Sequence, residues 1–139
     1  MIAYVDSSVV LRVVLRQRNA LPQWKAIETG VASALLEVEC LRTLDRLRVA
    51  EGLDDTAIAL RREAVFRLVG ALQIVEITRV VLERASQPMP TTLGTLDAIH
   101  LATALLYREH AGAPDLVLAT HDTQLGIAAR ASGLPVIGD

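Results

Sequence analysis

The chain has 139 residues, enough for one domain that folds without disulfides or structural metals. Its residues are 52% hydrophobic but only 3% aromatic, and a single cysteine, Cys40, excludes an internal disulfide or a thiolate-only zinc site. A net charge of −2 excludes chain-wide attraction to nucleic acid, so any such contact must come from a local arginine patch.

Residues 2–5 are a short β-favouring run ending at Asp6-Ser7-Ser8, whose side chains suit the cap of an apolar helix over residues 9–15. The N-terminus lacks the basic and long apolar regions of a signal peptide, and no apolar run reaches membrane-spanning length. The expected location is the cytoplasm. Ser33 is placed to cap a second helix to about residue 49, and Gly52 with Asp54-Asp55-Thr56 punctuates before a third, to about residue 69. The pair predicts a helical hairpin.

Residues 73–77 read as a strand, after which Thr78 caps a short helix that Gln87-Pro88-Met89-Pro90 breaks, opening a loop to Gly94. Thr95 is expected to cap the most apolar helix, residues 96–109, closed by Gly112 and Pro114. A buried-type strand over 116–119, a helix over 123–131 and a last strand over 134–137 complete the chain. Strands alternating with helices predict an α/β fold, a parallel sheet flanked by helices on both faces, with ligands beyond the carboxyl ends of the strands. Asp6 and Asp122 fall at two such ends.

Taken singly, Asp6 and Asp122 suit helix N-caps, and Asp97 sits in a first turn where the helix dipole favours it. Asp97, however, opens the run Leu96-Asp97-Ala98-Ile99-His100-Leu101-Ala102-Thr103-Ala104, apolar nearly all round, where a carboxylate needs a donor or a metal. On the second helix Glu39, Arg42 and Arg46 share one face, and Glu37 points roughly 160° away at ~100° per residue, so only one of the two glutamates can join an acidic cluster. Pattern alone leaves that choice open. Carboxylates gathered at one edge stay ionised near neutral pH only if a cation offsets their repulsion, and oxygen-only donors suit Mg²⁺ or Mn²⁺. Such an ion supports phosphodiester hydrolysis.

Tyr4-Val5-Asp6-Ser7-Ser8, the serine-led helix around Glu39 with Arg42 three residues on, the Asp97 run, and Leu118-Ala119-Thr120-His121-Asp122 occur in the order found in PIN domains. Over its whole length the chain resembles that family, and within it the VapC toxins. The register of the resemblance selects Glu39 over Glu37. It implies a single PIN-like domain over residues 1–139 with a five-stranded parallel sheet, and Mg²⁺ or Mn²⁺ held by catalytic Asp6, Glu39, Asp97 and Asp122. It further implies RNA hydrolysis as an endoribonuclease toxin of a type II toxin–antitoxin pair, a homodimer, and a cognate antitoxin as partner.

Ser8 and Thr120 are read as supports of the acidic cluster, although hydroxyls at strand-to-helix junctions are often simple caps. Arg42 is read as steadying Glu39 or contacting phosphate, against an ordinary helical ion pair. His100 and His121 are assigned structural roles, since a histidine base needs a particular geometry. An aspartyl-nucleophile phosphatase is disfavoured because no second aspartate lies two residues after Asp6 and the only lysine is Lys25. The alternative from another class is a catalytically inactive PIN-fold module binding RNA or protein. It predicts the loss of at least one of the four acidic residues.

Overall fold

β1 (Ile2–Val5) runs through the middle of the molecule, and its alternating side chains divide the interior into two cores. In the computed structural model, which describes Met1–Asp139, it is the central strand of a five-stranded sheet. The others are β2 (Thr29–Ser33), β3 (Gln73–Val75), β4 (Val117–Ala119) and β5 (Val136–Ile137), in the order β3-β2-β1-β4-β5. Every pairing is parallel, with Tyr4 opposite both Val31 and Leu118.

Six α-helices supply the layers: α1 (Ser7–Val14), α2 (Leu35–Glu51), α3 (Asp55–Gly70), α4 (Arg79–Ala85), α5 (Thr95–His110) and α6 (Thr123–Ala131). Because successive strand residues face opposite ways, Ala3 and Val5 join α1, α2 and α3 through Val9, Val10, Leu36, Cys40, Leu44 and Val65. Tyr4 and Val31 join α5 and α6 through Leu101, Leu105, Leu125 and Ala128. Fully buried Leu36 and Leu101 each contribute roughly 1.5–3 kcal/mol relative to exposure. The aliphatic cores expected from the composition are thus one per sheet face.

The expected architecture stands, with local corrections. β2 lies in a stretch that the pattern left unassigned, because Thr-Gly-Val-Ala-Ser offers little apolar periodicity. At its Gly30 the Leu72 side chain packs close against the backbone: a Cβ there would stand 2.4 Å from Leu72 Cδ2, so that side chain would have to shift. Thr95 is the first residue of α5 rather than its cap; Gly94 takes that position, without a side-chain bond. Ser33 still receives the Leu35 N–H, at 3.1 Å, although Ala34 is the boundary residue of α2. The α2–α3 hairpin forms as expected, and Gly52 closes α2 in the left-handed region at φ 63°.

The chain leaves β1 towards β2 on one side, whereas β4 lies on the other. The carboxyl ends of β1 and β4 therefore flank the crevice that such a reversal of winding opens.

Candidate active site

Each end of that crevice is closed by an aspartate at a strand-to-helix turn. Asp6 follows β1 and caps α1, its Oδ1 accepting the Val9 N–H at 3.3 Å. Asp122 follows β4 and caps α6, its Oδ1 accepting the Leu125 N–H at 2.9 Å. Both caps expected from sequence are formed, and the carboxylates remain at the edge of the sheet.

Two hydroxyls tie these turns together. Ser8 Oγ donates to Asp6 Oδ1 at 2.5 Å and accepts the His121 N–H at 2.8 Å. Thr120 Oγ1 donates to Asp6 Oδ2 at 2.6 Å and accepts the Asp122 N–H at 2.9 Å. Asp6 thus has a hydroxyl donor on each oxygen. Burial nevertheless raises its pKa above the ordinary value, with the hydrogen bonds from Ser8 and Thr120 opposing the rise.

Asp97, in the first turn of α5, is half-buried rather than fully enclosed. Burial raises its pKa, and so do the charges of Asp122, Asp6 and Glu39, while His100 opposes them. Glu39 reaches the same edge from α2, its Oε1 2.5 Å from His100 Nε2. The other ring nitrogen, Nδ1, lies 2.7 Å from the Tyr4 hydroxyl. Glu37 is turned elsewhere, into a depression with Ala34, Val38, Leu41 and Arg42. The fold therefore brings Asp6, Glu39 and Asp122 near enough to Asp97 for each to raise its pKa.

Arg42 does not steady Glu39. It is exposed and pairs with Asp45 at 3.2 Å, the ordinary helical ion pair. It does line a depression beside the acidic group with Ser7, Glu39, Arg46 and Leu96. His100, assigned a structural role from sequence, instead contacts Glu39 directly. The signal was its position three residues after Asp97, which places both on one side of α5. His121 keeps its structural role, with Nδ1 2.5 Å from the Gly138 carbonyl oxygen. Cys40 is buried beneath the site, and burial followed by the charge of Glu39 pushes its pKa up to about 12. That excludes a thiolate nucleophile.

No ion pair in the protein includes Asp6, Asp97 or Asp122, and Glu39 pairs only with His100. As the side chains stand, no three of these groups close around a single point. The donor set itself, carboxylate oxygens with unbalanced negative charge, fits a hard divalent cation better than zinc.

The geometry agrees with what the chain is similar to. A model of the PIN domain matches residues 3–131. Ribonuclease VapC46 of Mycobacterium tuberculosis (strain ATCC 25618 / H37Rv) is 32% identical over 137 residues, covering 96% of this chain and 95% of that protein. Ribonuclease VapC35 of the same strain is 33% identical over 141 residues, covering 96% and 94%. Among solved structures, FitAB bound to an IR36 DNA fragment superposes with a TM-score of 0.73 at 17% identity, covering 99% of this chain and 94% of that one. A toxin–antitoxin complex from Klebsiella pneumoniae gives 0.67 at 19%, covering 97% and 95%. These two likenesses speak for the fold, and the family match with the ribonuclease relatives speaks for descent: the chain belongs to the PIN domain family.

Proposed function

We propose that the protein is a Mg²⁺- or Mn²⁺-dependent endoribonuclease acting as the toxin of a type II toxin–antitoxin pair. The observation that carries this reading is the single acidic group at the strand edge, in which Asp97 feels the charges of Asp122, Asp6 and Glu39 at once. Names of the relatives support the substrate class: VapC46 and VapC35 are ribonucleases.

Asp6, Glu39, Asp97 and Asp122 are the residues that would hold the cation. When bound, such an ion activates water and offsets charge on the phosphodiester during in-line displacement. Ser8 and Thr120 fix both oxygens of Asp6, which keeps that carboxylate oriented. The Arg42–Arg46 depression beside Glu39 supplies the local positive surface that a chain of net charge −2 needs to meet an RNA backbone.

A cognate antitoxin and a second copy of the chain are the proposed protein partners. Solved relatives of the fold include a toxin–antitoxin complex and VapBC2 from Rickettsia felis bound to a promoter DNA fragment. Exposed Val38, Leu60, Phe66 and Val80 offer apolar area for such contacts. No helix is long and apolar enough to cross a membrane, which accords with the proposed cytoplasmic location.

The test is cleavage of a total small-RNA pool by wild-type protein and Asp97→Asn, each with Mg²⁺, Mn²⁺ or EDTA. Discrete fragments that require metal and disappear in the variant are expected. Identical patterns, or none from folded and antitoxin-free protein, would overturn the nuclease reading in favour of a binding module.

A further inference from the structure

We propose that Tyr4 and His100 form a buried positioning pair that fixes the carboxylate of Glu39 and so determines how that residue meets a cation. The inference rests on the metal-centre reading above and assigns a role to two residues outside the acidic group.

The pair begins in the interior. Tyr4 is fully buried on the central strand, and its alternation towards α5 brings it against His100, which is 1% exposed. Their rings meet edge-on, with centroids 5.9 Å apart and planes at 70°. From there the chain of contacts runs outward: the Tyr4 hydroxyl lies 2.7 Å from His100 Nδ1, and His100 Nε2 lies 2.5 Å from Glu39 Oε1. Only the last member is solvent-accessible, with a side chain 19% exposed.

Donor and acceptor capacity determines the tautomer. An ionised carboxylate only accepts, so Nε2 must carry a hydrogen for Glu39. In the neutral ring Nδ1 then offers a lone pair, which requires Tyr4 to donate. One arrangement of hydrogens satisfies all three groups. The contact also joins α2 of one layer to α5 of the other, across the edge of the sheet.

A core role alone does not account for this arrangement. Burying an imidazole and a phenol desolvates polar atoms that apolar side chains of similar volume would not carry. What the polar pair adds is directional hold on a partly exposed glutamate, whose free side chain would otherwise sample several rotamers. Oε1 is restrained, while no protein donor occupies Oε2. Partners behind a ligating carboxylate act on metal affinity in this way, through orientation rather than contact with the ion.

The test is Mn²⁺ affinity measured without RNA, by electron paramagnetic resonance of free Mn²⁺, on the full chain with circular dichroism to verify folding. His100→Ala is expected to weaken affinity about 10–100-fold. His100→Gln, whose amide N–H₂ reaches towards Glu39, should recover most of that loss. Tyr4→Phe should weaken affinity less, and should add nothing to His100→Ala in the double variant, because Tyr4 acts through the ring. If His100→Ala fails to fold, Tyr4→Phe and His100→Gln carry the comparison: near-normal affinity in His100→Gln with a measurable loss in Tyr4→Phe supports the pair. Wild-type affinity in every folded variant, additive losses in the double variant, or a His100→Gln as weak as His100→Ala would overturn the positioning role while leaving the metal centre intact. A wild-type protein that binds no Mn²⁺ would overturn the metal centre itself, and this role with it.

Discussion

Thr120 couples Asp6 to Asp122 through one oxygen: Oγ1 donates to the Asp6 carboxylate at 2.6 Å and accepts the Asp122 N–H at 2.9 Å. These residues stand at the ends of adjacent strands, so the hydroxyl sets the spacing of two site carboxylates. Thr120→Val keeps the shape but removes both bonds. Cleavage activity is expected to fall about 10–100-fold, the range seen when partners of ligating groups are removed. Thr120→Ser should retain most activity. Equal activity in the valine variant, assayed on the same RNA substrate, would refute the coupling.

Asp6 and Asp97 predict how the metal-free protein responds to pH. Both pKa values are raised in the folded state, chiefly by burial. Folding is therefore favoured while both are protonated, and this contribution is lost as pH rises from the ordinary aspartate value, about 3.9, through the raised values. Asp45, Glu109 and Asp139, lowered by their arginine partners, contribute with opposite sign, and their contribution is lost as pH falls. In EDTA the melting temperature should consequently decline on going from mildly acidic to neutral pH, and Mn²⁺ should restore more stability at neutral than at acidic pH. A melting curve that rises with pH in EDTA, with a pH-independent Mn²⁺ effect, would contradict this.

Arg46 predicts a salt effect. Its guanidinium bonds only the neutral Thr43 hydroxyl, at 3.1 Å, in the depression beside Glu39, whereas Arg42 shares its charge with Asp45. In an Asp97→Asn background that binds RNA without cutting it, Arg46→Ala should lower the slope of log affinity against log salt by roughly 0.7–1. Arg42→Ala should lower it less. Fluorescence anisotropy over a salt series measures both, and parallel lines for Arg46→Ala and its parent would exclude a phosphate contact.

Gly138 predicts a link between the tail and the site. It adopts φ 97°, and a Cβ would stand 2.7 Å from the Thr120 carbonyl oxygen and 3.0 Å from Leu21 Cδ1. Gly138→Ala combines backbone strain of about 1–3 kcal/mol with displacement of the turn that carries Thr120. Lower denaturant midpoint and lower activity are expected together. Unchanged stability would show that the tail relaxes freely.

Much of this was legible in the chain, for identifiable reasons. Helices with clear stops, such as α2 ending at Gly52, follow from local chemistry, and Asp6 and Asp122 were readable as caps because capping depends on neighbours in sequence. β2 was not, since a five-residue strand buried on both faces needs no apolar alternation and here carries Gly30 and Ser33. The choice between Glu37 and Glu39 turned on helical phase relative to a distant edge. Family register selected Glu39, and the fold sets it against His100. The functional proximity of His100 was missed because an imidazole in an apolar helix is ordinarily a core residue, and its partner lies 61 positions away. Of the two roles read for Arg42, the contact with Glu39 is not made, because its local partner Asp45 is nearer.

The central position of β1 has a consequence for biosynthesis. Asp6 is made 114 residues ahead of Thr120, whose hydroxyl fixes its second oxygen, and Thr120 is itself held by Ile137 across the β4–β5 edge. Domains form as their segments emerge from the ribosome, so no nascent fragment short of β4 contains the assembled edge. The destructive capacity proposed for this protein therefore appears only after β4 and the Thr120–Asp122 turn have been translated. A ribosome stalled before β4 would display a chain whose acidic edge is not yet assembled.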